Sequence, residues 1–208
     1  VISVASNQFS DAAGNTNNDG SDSNNTVTLS VDTVRPTIAI SSQIGSDIDG
    51  EATGDLSGYS VSLSSDGSIV AIGAQYNDGN GNASGHVRLY AWDGSAWVQR
   101  GSDIDGEAAG DSSGHSVSLS SDGSVVAIGA YANDGSGIFS GHVRLYEWNG
   151  SAWVQRGNDI DGEAAVDYSG YSVSLSSDGS IVAISAHSND GNGSDSGHVR
   201  IFDVSIPT

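Results

Sequence analysis

"SVSLSSDGSIVAIGA", residues 60–74, decides how this chain folds, because it returns almost unchanged as "SVSLSSDGSVVAIGA" (116–130) and "SVSLSSDGSIVAISA" (172–186). Apolar and serine residues alternate in its first half, the two-residue period of a strand with two unlike faces. In the first copy this sets Val61 and Leu63 against Ser60, Ser62 and Ser64. Asp66–Gly67 then supplies the positive-φ pair of a tight hairpin. Ile69–Ala74 returns as a continuously apolar strand, the composition of one covered on both faces.

Beyond the hairpin, "QYNDGNGNASG" (75–85) is a loop by composition. "GHVRLYAW" (85–92) alternates again, "DGS" turns, and "AWVQR" (96–100) makes a fourth strand. Gly45, Gly101 and Gly157 begin three copies of this unit, 45–100, 101–156 and 157–208, at an interval of 56 residues. The third copy ends in "GHVRIFDVSIPT" and has no counterpart of "AWVQR". No stretch carries a helical period. Four short antiparallel strands at this spacing point to a propeller-type blade, whereas an Ig-like sandwich needs about 100 residues per unit. The expected fold is all-β, with three four-stranded antiparallel propeller-type blades in an open arc. Sheet faces left uncovered at its ends would be closed by remaining blades of a parent chain or by self-association.

These copies resemble FG-GAP repeats, the unit of integrin α-subunit heads and of many bacterial surface proteins. The features that carry the likeness are "GDSSGHSVSLSSDGSVVAIGA" (110–130) and "SGHVRLYEWNGSAW" (140–153), recurring in register over about residues 45–208. Ser57–Gly58, Ser113–Gly114 and Ser169–Gly170 stand where the family has Phe-Gly. Gly73–Ala74 and Gly129–Ala130 stand for its Gly-Ala-Pro without the proline, and Ser185–Ala186 ends the last copy. The family implies a calcium loop in the first hairpin. Here only Asp66, Asp122 and Asp178 remain in those turns, too few oxygens for that ion.

Residues 1–36 have another character. "DAAGN" followed by "VDTVRPTI" resembles the closing strands of bacterial Ig-like adhesin domains, and Pro36 marks the boundary with the repeats at 37–208. With neither an initiating methionine nor a basic-then-apolar leader at Val1, the chain reads as a segment of a longer polypeptide.

Twenty-six acids against six arginines and no lysine give a net charge of −20. Such a field repels nucleic acid and anionic membranes, and no apolar run approaches the ~18 residues of a membrane helix. Without cysteine there is no disulfide or thiolate chemistry. Strong acidity with no lysine is compatible with a salt-rich or calcium-rich exterior, and the resemblance implies an extracellular or cell-surface location.

The acids concentrate in the connectors between copies. Asp47, Asp49, Glu51 and Asp55 recur as Asp103, Asp105, Glu107 and Asp111, and as Asp159, Asp161, Glu163 and Asp167. Asp-x-Asp-Gly opens like a calcium loop. The same residues also suit a solvated connector whose last aspartate accepts backbone N–H bonds. Both readings stand on sequence alone: a calcium site in each connector, or acidic surface. His86, His142 and His198 read as structural residues at a strand start, and Trp92, Trp97, Trp148 and Trp153 as packing. The arginines of "HVR" are expected to form ion pairs.

An enzyme needs at least one unique constellation, and repetition spreads the acids and histidines evenly over the copies. The resemblance therefore implies a non-enzymatic adhesion or binding module with a protein or glycan ligand at a cell surface. A structural spacer and a carbohydrate-binding propeller are the alternatives. Ligand contacts are rarely repeated, so positions that differ between copies are the candidates: Gln75/Tyr131/His187, Tyr76/Ala132/Ser188, and Asn82–Ala83 against Ile138–Phe139 and Ser194–Asp195, with Tyr76, Tyr131 and the apolar pair Ile138–Phe139 as the expected contacts.

Overall fold

In a computed structural model, the described residues are 42–205. Gln43–Thr208 forms one compact unit. The Ig-like strands expected in 1–36 lie outside the described residues. Among those residues every element is a strand or turn, and no helix is long and apolar enough to cross a membrane.

Among the described residues, thirteen strands build three sheets. The first holds β1 (Ser60–Leu63), β2 (Ile69–Ala74), β3 (His86–Trp92), β4 (Trp97–Gln99) and β5 (Ile104–Asp105). The second repeats it with β6 (Ser116–Leu119), β7 (Val125–Ala130), β8 (His142–Trp148), β9 (Trp153–Gln155) and β10 (Ile160–Asp161). The third has only β11 (Val173–Leu175), β12 (Ile181–Ala186) and β13 (His198–Asp203). All named strand pairs are antiparallel.

This overturns the expected architecture of four-stranded propeller-type blades. The sheets contain five, five and three strands, and each is an open path that neither closes nor curls on itself. The fifth strand comes from the acidic connector. Ile104–Asp105 pairs with the His86–Val87 half of β3, while β4 occupies the Tyr90–Trp92 half of the same edge. A two-residue strand with acids on either side of one isoleucine carries no periodic signal, which is why a 56-residue period could not reveal it. The period reports how many strands one unit spends, not whether the sheets close.

Two cores lie between successive sheets. Ile69, Ala71, Val87 and Leu89 meet Leu119, Val126 and Ile128 in the first. Val125, Ala127, Val143 and Leu145 meet Val182 and Ile184 in the second. The middle strand β7 is buried along its whole length, whereas its counterpart β12 alternates. The serine faces of the first strands stitch sheet to sheet: Ser60 Oγ donates to the Gly114 carbonyl at 2.7 Å, and Ser62 Oγ accepts from Leu119 N at 2.9 Å. A Cβ on Gly73 or Gly129 would overlap the Gly114 or Gly170 carbonyl oxygen of the following repeat. In the third sheet, where no later sheet lies against it among the described residues, Ser185 takes that place and accepts from Ser172 N at 2.9 Å.

Candidate functional site

The four acids of one connector part company. The last is buried: Asp55, Asp111 and Asp167 are 5%, 4% and 3% exposed. Asp111 Oδ2 accepts from Ala108 N and Asn133 Nδ2, both at 3.0 Å, and Asp55 and Asp167 repeat this with Ala52 and Asn77, and with Ala164 and Asn189. The asparagine belongs to the "ND" of the loop at 75–85 and of its equivalents in the other copies, and its other amide atom accepts from the glycine two residues on. That loop and the end of the connector thus form one hydrogen-bonded unit. The first acid accepts from the glutamine four residues before it, Gln43 to Asp47, Gln99 to Asp103 and Gln155 to Asp159. The second gives its backbone carbonyl to an arginine: Asp49 O to Arg88 at 2.7 Å, Asp105 O to Arg144 at 2.6 Å, and Asp161 O to Arg200.

The third acid leaves its own connector. Glu51 Oε2 lies 3.8 Å from His86 Nδ1 and its Oε1 3.7 Å from Arg88 Nη1. Glu107 stands in the same relation to His142 and Arg144, and Glu163 to His198 and Arg200. Because β5 and β10 return to the edges of β3 and β8, the first acid of the following connector reaches the same place. Glu51, His86 and Asp103 offer ligand atoms all within 4.8 Å of one another, as do Glu107, His142 and Asp159. Either trio can hold a divalent ion. Sequence reasoning assigned the acids to separate connectors and the histidines to structure. It missed these trios because their members meet only through the β5 and β10 pairings.

In the first hairpin, Asp66 Oδ1 accepts from Ser64 Oγ, Ser68 N and Ser68 Oγ at 2.7–2.9 Å. Those bonds, the Ser68 N–H first, hold its carboxyl down at about 2, and the Asp178 carboxyl sits at about 2 with Ser176 as the leading cause. The hairpin aspartate therefore serves its own turn, and one carboxylate so engaged does not fit a calcium ion.

A second assembly lies where strands begin and end on one side. His115 packs its ring against Tyr59, Tyr131 and Tyr171, with centroids 5.0, 4.4 and 4.6 Å away. Tyr171 meets His187 edge-on at 4.4 Å, Tyr168 stacks on His187 at 5.4 Å, and Phe139 stacks on Tyr168 at 5.8 Å. His115 Nδ1 bonds Gln75 Oε1 at 2.7 Å, and burial followed by the neighbouring His187 pushes its pKa below the usual histidine value. Tyr59, Tyr171 and Phe139 remain 49%, 44% and 42% exposed, and Ile138 is 64% exposed at the margin. Of the residues singled out in the sequence, Tyr131 and Phe139 enter this cluster, whereas Tyr76 and Ile138 make no ring contact with it among the described residues. Tyr59, His115, Tyr168 and Tyr171 were missed, whereas His187 stands at the varied position it shares with Gln75 and Tyr131. The available signal was variation at equivalent positions: 59, 115 and 171 read Tyr, His, Tyr, and 56, 112 and 168 read Leu, Ser, Tyr.

The tryptophans are packing residues. Trp92 and Trp97 lie 5.5 Å apart, Trp148 and Trp153 5.4 Å apart, and the Arg100 guanidinium sits 4.8 Å above Trp148. Gly110–Gly114 reads Gly-Asp-Ser-Ser-Gly, which has the form of a nucleophile turn. Ser112 is buried there at φ 55°, a conformation shared by its counterparts Leu56 and Tyr168. No histidine or carboxylate bonds the Ser112 hydroxyl among the described residues, and the positive φ recurs at the same turn of every repeat.

Residues 45–90 and 160–202 match the FG-GAP repeat family. The match supports a repeat-containing domain and is consistent with a non-catalytic module; it does not extend to an integrin α-type head or to an adjoining Ig-like domain. A comparison with curated proteins finds no match. One similar solved structure is described as Kuenenia stuttgartiensis Hydrazine Synthase, 14% identical, with a TM-score of 0.45. The alignment covers 74% of this chain and only 36% of that one.

Proposed function

We propose that this chain is a non-enzymatic recognition module of a secreted or cell-surface protein, and that it docks a protein partner on the aromatic rim centred on His115 and Tyr131. The observation that carries this reading is the ring cluster itself. Residues of all three repeats, at positions where the repeats differ, converge on one partly exposed surface. A spacer needs no such divergence. Tyrosine offers a large rigid contact area with a polar tip at small entropic cost, and such residues dominate the energetic centres of protein interfaces. The net charge of −20 makes the complementary partner surface neutral or basic.

The test is surface plasmon resonance of the chain against a panel of extracellular proteins and neutral oligosaccharides. The comparison is with Tyr131→Ser/Phe139→Ser and Tyr171→Ser variants that retain the wild-type melting curve. Saturable protein binding lost in the variants supports the reading. Binding confined to oligosaccharides would assign the rim to sugar stacking instead, and protein binding untouched by the variants would remove the rim from the function.

A further inference from the structure

We propose that Glu51–His86–Asp103 and Glu107–His142–Asp159 are two equivalent sites for a borderline first-row divalent cation, represented by Zn2+, each fastening one repeat to the next. The first argument is the state of the histidines. His86 and His142 are 2% and 1% exposed, so the protein encloses both rings almost completely. Their Nδ1 atoms face Glu51 and Glu107 at 3.8 and 3.7 Å, beyond hydrogen-bond length. A zinc ion about 2.0–2.2 Å from nitrogen and carboxylate oxygen separates its ligand atoms by about that N···O gap.

The second argument is how the third ligand is held. Asp103 Oδ1 accepts from Gln99 Nε2 and Asp159 Oδ1 from Gln155 Nε2, both at 2.6 Å. No hydrogen bond to either Oδ2 is present among the described residues, so the glutamine orients the carboxylate and leaves one oxygen free. Such outer partners are what position metal ligands. Glu51 and Glu107 are 43% and 44% exposed and free to close the remaining gap.

Arg88 and Arg144 are the charges that oppose an ion. Each approaches Oε1 of the glutamate, the oxygen away from the histidine, and each is anchored through Nη2 to the backbone carbonyl of Asp49 or Asp105. The guanidinium offsets one of the two carboxylate charges, which lowers affinity without occupying the ligand atoms. One imidazole and two carboxylates, with a position left for water, is a zinc-type donor set. Calcium requires six to eight oxygens and takes none of its ligands from imidazole. The third copy is an internal control: Glu163 and His198 sit 3.7 Å apart, but no third acid joins them among the described residues.

The experiment is isothermal titration of the metal-free 208-residue chain with ZnCl2, with metal content after dialysis as a second readout. Two ions per chain are expected. Asp103→Asn should retain one, Asp103→Asn/Asp159→Asn none, and His198→Ala two. Zinc should raise the melting temperature of the wild type and not of the double variant, since an ion bound only to the folded state stabilises by mass action. Each variant is checked by its metal-free melting curve; His86→Gln and His142→Gln serve if an aspartate variant fails to fold. Zinc retained by the double variant would show adventitious surface acids and overturn the proposal. Displacement by equimolar calcium, or a stoichiometry unchanged by Asp103→Asn, would overturn it equally.

Discussion

Leu63 and Leu119 occupy the same place in identical "SVSL" strands, yet the structure gives them opposite surroundings. Leu63 is 59% exposed and Leu119 7% exposed, because Leu119 packs into the core between the first and second sheets while no preceding sheet covers Leu63 among the described residues. Truncating each to alanine separates local sequence from tertiary position. Leu119→Ala removes buried methyls and leaves a cavity beside Val126 and Ile128, a loss of about 2–4 kcal/mol. Leu63→Ala removes surface already in water and should fall within about 0.5 kcal/mol of wild type. At about 2–4 °C per kcal/mol for a chain of this size, Leu119→Ala should lower the melting midpoint by about 4–16 °C and Leu63→Ala by about 2 °C at most. Both are read by circular dichroism melting and by urea denaturation followed through tryptophan fluorescence. Equal losses at the two sites would refute the stacking of the sheets described above.

Two further paired comparisons rest on the same geometry. Asp111→Ala leaves the Ala108 N–H and the Asn133 amide without their buried acceptor and should cost about 1–3 kcal/mol, whereas Glu107→Gln should leave the urea midpoint of the metal-free chain nearly unchanged. Gly129→Ala places a Cβ on the Gly170 carbonyl and should cost about 1–3 kcal/mol by overpacking, while Ser185→Ala at the equivalent position should melt close to wild type.

The pH dependence follows from the two carboxyls near 2. Asp66 and Asp178 have folded values of about 2 against 3.8 for an unperturbed aspartate, so their stabilisation is complete above about pH 4 and is lost as pH falls towards 2. Asp178→Asn should flatten that part of the curve in denaturant titrations. His115 acts higher on the scale. Its pKa is lowered by burial, so the neutral ring is favoured in the fold and stability declines as pH falls below about 6.5. His115→Gln should weaken that decline.

Much of the chain was legible before any coordinates. The hairpins at Asp66, Asp122 and Asp178 follow from alternation and an Asp-Gly turn, and their aspartates serve those turns. The arginine of each "HVR" meets a glutamate 37 residues before it, as a chain poor in cations requires. The connector was half legible. Its last aspartate accepts a backbone N–H as an Asx-type residue should, but the asparagine 22 residues later that completes its bonding had no mark in the sequence.

By itself the sequence determined the strands and their turns, which depend on residues close together in the chain, and the 56-residue repeat and acidic field, which are read directly from residue identity and spacing. Only the tertiary structure decided which copy of an identical strand is buried, that the connector supplies a fifth strand, and that the sheets stay open. It also decided which acids meet which histidines, and that rings from three repeats gather around His115. Those outcomes depend on how one sheet lies against the next. A repeat that is the same in every copy cannot encode the difference between having a neighbour and lacking one.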